Sequence, residues 1–272
     1  MARARPQLIR AARAAGFAAA LAIVAIVAIK AVRDAPPRRL DWALLIPALL
    51  ATLAWWVLLA RGWALLMSGA WTRADAATWY RTQALRYLPG GIWAPVSRVA
   101  VAGGSARERL STVAAENVGA LCAALVLGGG ALAASGRIAW LGLIAMAALP
   151  ALLARVRVLP ARAPATLGTY LAAFAAYAVA SVCAQAAVSG WHEPLAVAGA
   201  AGVAWAAGLV VIVAPGGIGV REVVYVGLLA GAFGDGELAA GAVTMRLVTI
   251  AAELIVLVAS ARFPRRREST TG

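Results

Sequence analysis

Ionised side chains that lie inside long apolar runs are the first candidates for chemistry in this chain. Arg246 and Glu253 stand in the run Leu238–Ala261, Glu116 stands in Ser111–Ala134, and the pair Arg221-Glu222 follows Pro215-Gly216-Gly217-Ile218-Gly219. An ionised residue at the centre of a bilayer costs about 2.5–3.5 kcal/mol on insertion scales, so such groups are kept where they meet one another or a charged guest. Arg246 and Glu253 are seven residues apart, close to two helical turns, and project from one helix face. Seven positions is long for direct contact, which predicts a third partner, Glu116 or Glu222. In the first turn of a helix restarting near Val220, the Glu222 carboxylate suits the helix dipole and can restrain Arg221 or another arginine.

The sequence Pro-Gly-Gly-Ile occurs twice, at Pro89-Gly90-Gly91-Ile92 with Arg98 following and at Pro215-Gly216-Gly217-Ile218 with Arg221 following. Proline fixes one backbone angle and glycine permits positive φ, so both sites break a helix. A helix that restarts inside lipid points unpaired N–H groups and a positive dipole end at the turn. With Arg221 added, the second turn becomes a seat for a phosphate or carboxylate, as broken helices in transporters hold anions. A tight turn between two spans, flanked by an interfacial Arg–Glu pair, is the structural alternative. The two sites lie 126 residues apart, a spacing equally compatible with internal symmetry and with chance recurrence in a chain rich in Gly and Ala.

Catalytic signatures are missing. The chain has no phosphate-cradling G-x-x-x-x-G-K-[ST], no H-E-x-x-H and no Asp-rich metal motif. His192 is the single histidine and is expected in a loop; Cys122 and Cys183 lie in apolar runs without metal-ligand spacing. General acid–base catalysis has little to work with. The expectation is a non-enzyme with no catalytic residues, no metal and no cofactor.

Composition sets the elements that position these residues. Of 272 residues, 63% are hydrophobic and 13% charged, with mean hydropathy +0.85. That is too apolar for a soluble surface. Apolar runs recur at Phe17–Val32, Trp42–Met67, Ser111–Ala134, Ile138–Leu153, Thr166–Val188, Leu195–Ala214 and Leu238–Ala261, with a shorter piece at Val220–Gly234. The reading is an all-α, polytopic helical membrane protein: one integral domain over 1–272, with about eight spans that include short or re-entrant helices broken at the Pro-Gly-Gly turns. Val220–Gly234 reaches only about 22 Å at 1.5 Å per residue, so it either spans a thinned region or dips in as a half-helix.

The net charge of +14 falls mostly between apolar runs, which favours lipid headgroups over nucleic acid as the counter-charge. Counting Val220–Gly234 as a crossing, the basic amino terminus (1–16), the Thr72–Leu110 connection, Arg155–Arg162 and the basic tail (262–272) share one side, the cytoplasmic one by the positive-inside rule. Lys30, Arg33, Arg38 and Arg39 dissent. The amino terminus reads as a retained signal-anchor rather than a cleaved signal. Ala76–Leu88 reads as an amphipathic helix in the interface, with Trp79, Tyr80 and Tyr87 at headgroup depth. Arg86 and Arg98 are expected to gather lipid at the cytoplasmic rim. Arg61 is expected to snorkel to the interface, with Trp63 as its anchor.

Three segments together resemble the lysylphosphatidylglycerol synthase transmembrane region, or flippase-like family: Arg61-Gly62-Trp63, Tyr87-Leu88-Pro89-Gly90-Gly91-Ile92-Trp93 with Arg98, and Pro215-Gly216-Gly217-Ile218-Gly219-Val220-Arg221-Glu222. Arg246 fits as well. The resemblance implies a bacterial or archaeal inner-membrane protein that moves a lipid or lipid-linked intermediate between leaflets. Arg221, Arg246 and the turn N–H groups would hold the headgroup phosphate, while Glu222, Glu253 and Glu116 balance charge. Two departures stand out. The chain reads Glu116-Asn117 where the family often has a Glu-Arg pair, and only a short basic tail follows Ala261 where two-domain members carry an aminoacyl-transferase domain. Synthase activity is therefore not implied. The alternative is a non-transporting membrane partner of a separate glycosyl- or aminoacyl-transferase.

Overall fold

The computed structural model describes residues 40–87, 93–101, 105–137, 162–211 and 215–262. The spans expected at Phe17–Val32 and Ile138–Leu153, the basic residues Lys30 to Arg39, and the first turn at Pro89, Gly90 and Gly91 lie outside them. Among the described residues eight α-helices run in order: α1 (Trp42–Ser68), α2 (Arg73–Gln83), α3 (Trp93–Val101), α4 (Ala106–Ala134), α5 (Ala163–Ser189), α6 (Pro194–Val210), α7 (Val220–Leu229) and α8 (Asp235–Ala261). Short 3-10 turns at Ala84–Tyr87 and Pro215–Gly217 complete the helical content, and no strand occurs among the described residues. The fold is that of a polytopic helical membrane protein. Four helices, Trp42–Ser68, Ala106–Ala134, Ala165–Ser189 and Asp235–Ala261, are long and apolar enough to cross a bilayer, with mean hydropathy of 1.8 to 2.2. Side chains such as Ile46, Leu50, Val179, Leu254 and Val258 are exposed along these helices, as lipid-facing positions require.

Local chemistry sets the helix ends. Asp41 accepts from the Ala43 N–H at the start of α1, and Gly69, with φ of 75°, closes it. Ser105 and Glu108 form a reciprocal capping box at the start of α4. Pro95 falls in the first turn of α3, where its missing N–H leaves no bond unmade.

The helix ends sort by charge. The Asp41 N–H donates to the Ala187 carbonyl, and Gln185 donates to the Glu237 carbonyl, so α1, α5 and α8 share one end of the molecule. Arg137, just past α4, approaches Glu193 at 4.0 Å and donates to the Ala230 carbonyl, adding α4, α6 and α7 to that end. Asp41, Glu193, Asp235 and Glu237 face Arg137 there, whereas Arg73, Arg81, Arg107, Arg109, Arg162 and Arg262 lie toward the other. One face is acidic and the other basic.

That geometry corrects the reading of Val220–Gly234 as a crossing. Helix α7 has ten residues and rises about 15 Å, half of a hydrocarbon core of about 30 Å. Helix α6 starts at the acidic face beside Glu193, and α7 ends there at Ala230. The two form a hairpin whose turn sits at depth, and α8 then runs from the acidic to the basic face. The expected span Leu195–Ala214 is likewise shorter, ending as α6 at Val210.

A second correction concerns the connection after α1. The segment read as a surface-lying amphipathic helix instead packs on α1, α3 and α8, and Trp79 is fully buried. Asp75 accepts from the hydroxyls of Ser68 (2.8 Å) and Thr72 (2.7 Å), which staples α2 under the end of α1. Trp63, expected as an interfacial anchor, is also buried, while Arg61 is exposed as expected.

Helix α5 is the hub, touching α1, α4, α6 and α8. Small residues let α4 and α6 approach closely, the usual device where lipid gives helices no hydrophobic drive to associate. A Cβ on Gly199 would lie 2.7 Å from the Leu132 nitrogen and 2.8 Å from the Gly128 carbonyl oxygen. Gly199→Val should therefore destabilise the protein by about 1–3 kcal/mol, the usual range for overpacking, and lower its melting temperature in detergent. An unchanged melt would show that the two helices do not cross this closely.

Candidate functional site

Four arginines from four elements converge between the long helices. Arg98 on α3 is 3% exposed and pairs with Glu116 on α4. Its guanidinium lies over the rings of Trp63 (5.5 Å) and Trp79 (5.8 Å), favourable seats for a desolvated cation. The Trp79 indole N–H donates to Glu116 Oε1 at 2.6 Å, leaving Glu116 Oε2 buried without a hydrogen bond. The cation that pairs with Glu116 thus comes from α3 and not from its own helix, where Asn117 is the next residue.

Arg86, on the 3-10 turn after α2, reaches Glu253 of α8 at 2.7 Å and covers the Trp56 ring at 4.8 Å. Arg246, two turns before Glu253 on α8, faces Glu222 Oε1 at 3.9 Å. That distance is an ion pair without a hydrogen bond, and Arg246 Nε and Nη2 are buried with no acceptor among the described residues. Glu222 also caps its own helix, accepting from the Gly219 N–H at 2.7 Å. The third-partner expectation for Arg246 and Glu253 thus resolves into two separate pairs. Glu222 serves Arg246, Arg86 serves Glu253, and Glu116 is engaged elsewhere.

Arg221 is the exception. It forms no ion pair or hydrogen bond with any described residue, and its guanidinium lies 5.5 Å from the Trp205 ring centroid. Its stem threads a notch of glycines: a Cβ at Gly208 would meet Arg221 Cγ at 2.5 Å, and one at Gly217 would meet Nε at 2.7 Å. Gly216, Gly217 and Gly219 all take positive φ (60°, 71° and 85°), so the turn after Pro215 needs glycine for its backbone as well as for space. The second Pro-Gly-Gly turn breaks the helix, as its sequence suggested, and Arg221 just behind it packs inward between Gly208 and Gly217.

Two cavities meet at this residue. The larger, about 810 Å³ counting its open mouth, is lined by Arg86, Arg98, Glu116 and the indoles of Trp55, Trp56 and Trp205. The N–H groups of Trp55 and Trp56 are buried without an acceptor. The smaller, about 470 Å³ on the same measure, is lined by Tyr177, Ser181, Tyr225, Arg246 and Thr249. Arg221 is the one described residue that lines both. Among the described residues, these four arginines and their three glutamate partners, with Glu253 standing behind Arg86, leave one positive charge around the cavities. Among the described residues no group of three His, Cys, Asp or Glu side chains converges as metal ligands do.

Arg86 and Arg98, expected at the cytoplasmic rim, are instead inside and ion-paired, because their aromatic and carboxylate partners sit between the helices. Outside the spans, burial pushes the Tyr80 phenol on α2 up to about 12, so it stays neutral at physiological pH. Sequence reasoning passed over the indoles of Trp55, Trp56 and Trp205, and also Gln185. A tryptophan pair in mid-span is a signal in itself, since tryptophan otherwise gathers at the interfaces. Gln185, 1% exposed, accepts from the Tyr225 hydroxyl at 2.9 Å and donates to the Glu237 carbonyl at 3.2 Å, tying α5 to α7 and α8.

The Arg98–Glu116 pair gives a direct stability test. Glu116→Gln leaves a buried guanidinium without its counter-charge and should cost about 3–5 kcal/mol, read as a lower melting temperature. Replacing both partners by leucine should recover most of that loss. A neutral Glu116→Gln would mean that water reaches the pair.

Compared with known proteins, the chain matches no family model, no curated protein and no solved structure.

Proposed function

We propose that this protein is a flippase-like membrane carrier that binds the anionic headgroup of a lipid or lipid-linked intermediate at Arg221. The observation that carries the reading is the unpaired Arg221 guanidinium at the junction of two cavities, within a cluster whose other arginines each face a carboxylate. A desolvated cation without a counter-charge is unfavourable in an apolar interior, and an anionic guest removes that penalty. The buried N–H groups of Trp55 and Trp56 offer further donors. After the Pro215–Gly219 turn, α7 adds the positive end of a short helix, one of whose N–H groups is already capped by Glu222. The resemblance to the flippase-like family, carried by the residues around both Pro-Gly-Gly turns, points the same way. The basic face is read as cytoplasmic by the positive-inside rule, and no reaction is assigned.

The geometry suits transport because the site lies between the faces. Glu253 is about 12 Å from the basic end of α8, and Arg246 about 17 Å from its acidic end, at 1.5 Å per residue. A headgroup entering from the basic side would pass Arg86 and Arg98 before reaching Arg221. Their partners neutralise them, so they attract the headgroup without holding it.

The test is headgroup-dependent translocation of labelled lipids in proteoliposomes. Charge-assisted hydrogen bonds are worth about 1.5–3 kcal/mol, so Arg221→Ala should slow translocation at least tenfold, and Arg221→Ala with Arg246→Ala further. Wild-type protein that moves no lipid faster than the double variant would overturn the carrier reading.

A further inference from the structure

The distribution of charge and hydroxyl groups across the two cavities selects among headgroups. We propose that the guest is a phosphodiester with net negative charge whose second substituent is uncharged and bears hydroxyl groups, a polyol or a sugar, rather than an ammonium. This rests on the carrier-site reading above but concerns only which headgroup the site accepts.

Each carboxylate in the site is already committed. Glu116 holds Arg98 and the Trp79 N–H, Glu253 holds Arg86, and Glu222 faces Arg246 while capping Gly219. Glu116 Oε2 accepts no hydrogen bond, but it belongs to a carboxylate whose charge Arg98 neutralises. An ammonium in either cavity therefore finds no unbalanced negative charge and meets the surplus positive charge of Arg221. A single phosphodiester charge balances Arg221 and leaves the cluster neutral.

The second cavity supplies the rest of the specificity. On the far side of Arg221 its walls carry the hydroxyls of Tyr177, Ser181 and Thr249 beside the Glu222 carboxylate, whose charge faces Arg246. The Ser181 and Thr249 hydroxyls donate to backbone carbonyls of their own helices, at 2.8 Å each, which leaves their oxygens free to accept from a guest hydroxyl. The Tyr177 hydroxyl makes no hydrogen bond with any described residue and can donate. Arg246, 7% exposed, lines the same cavity, and its Nε and Nη2 have no acceptor among the described residues. With the phosphate on Arg221, a neutral polyol reaches acceptors and donors together, whereas a trimethylammonium offers them no N–H or O–H group.

The experiment is equilibrium binding to the full chain in detergent, read by native mass spectrometry or tryptophan emission. The probes are short-chain phosphatidylglycerol, phosphatidylethanolamine, phosphatidylcholine and phosphatidic acid, with chain-free glycerophosphoglycerol and inorganic phosphate. Phosphatidylglycerol should bind at least tenfold tighter than phosphatidylethanolamine or phosphatidylcholine, and Arg221→Gln should abolish that preference. Tyr177→Phe with Ser181→Ala should reduce phosphatidylglycerol binding several-fold and leave phosphatidic acid unchanged. Wild-type protein that binds phosphatidylethanolamine as tightly as phosphatidylglycerol overturns the proposal without recourse to any variant. Two results instead strike the carrier reading and spare the headgroup assignment: selective phosphatidylglycerol binding without translocation in vesicles, or chain-free glycerophosphoglycerol binding as tightly as the lipid.

Discussion

Charge held out of water needs a partner within reach, and that requirement organises this molecule. Seven ionised side chains of the site lie between the helices, and six of them form three arginine–glutamate pairs. None of the pairs is local in sequence. Each joins separate helical elements: α3 to α4, the turn after α2 to α8, and α7 to α8. The segment between α1 and α4 is thereby drawn inward, although its polarity alone would leave it at the surface. Indoles carry much of the desolvation, with Trp56, Trp63, Trp79 and Trp205 each beneath a guanidinium. Aromatic faces give these cations a favourable surface that saturated side chains cannot.

Packing follows a different logic, since lipid tails do not push helices together. Contact is gained where glycine permits it. Gly128, Gly199 and Gly202 bring α4 and α6 into backbone contact, and Gly62 and Gly119 flank the buried Tyr170 ring. Gly241 makes room for Gln185, whose amide ties three helices. The same device serves the site, because the Gly208–Gly217 notch that admits the Arg221 stem also fixes how deeply α7 begins.

Hydropathy made the long helices legible almost to the residue: Trp42–Met67 became Trp42–Ser68, and Leu238–Ala261 became Asp235–Ala261. Lipid punishes any other arrangement of so apolar a run. The second Pro-Gly-Gly turn was legible for the same reason, as a break that needs protein around it. What stayed hidden was partnership. That Arg98 reaches Glu116, or Arg86 reaches Glu253 across 167 residues, depends on which helix faces pack together, and one sequence does not encode that in its periodicity. Trp79 and Trp63 were misplaced because tryptophan near arginine looks the same at a headgroup boundary as in a core built around buried cations. Helix α7 was over-counted because an apolar stretch records its length in residues, not the face to which its end returns.

Arg246 and Glu253 ride on one rigid rod and grip different neighbours, and this has a mechanical consequence. Rolling α8 about its axis by a single residue, roughly 100°, would tear both charges from their holders at once, and so would sliding it by one turn. Neither movement is open to it by small steps. Any rearrangement that opens this core by moving α6 and α7 past a fixed α8 must first release Glu222 from Arg246 and Tyr225 from Gln185, so the short arm is latched to the post at two points.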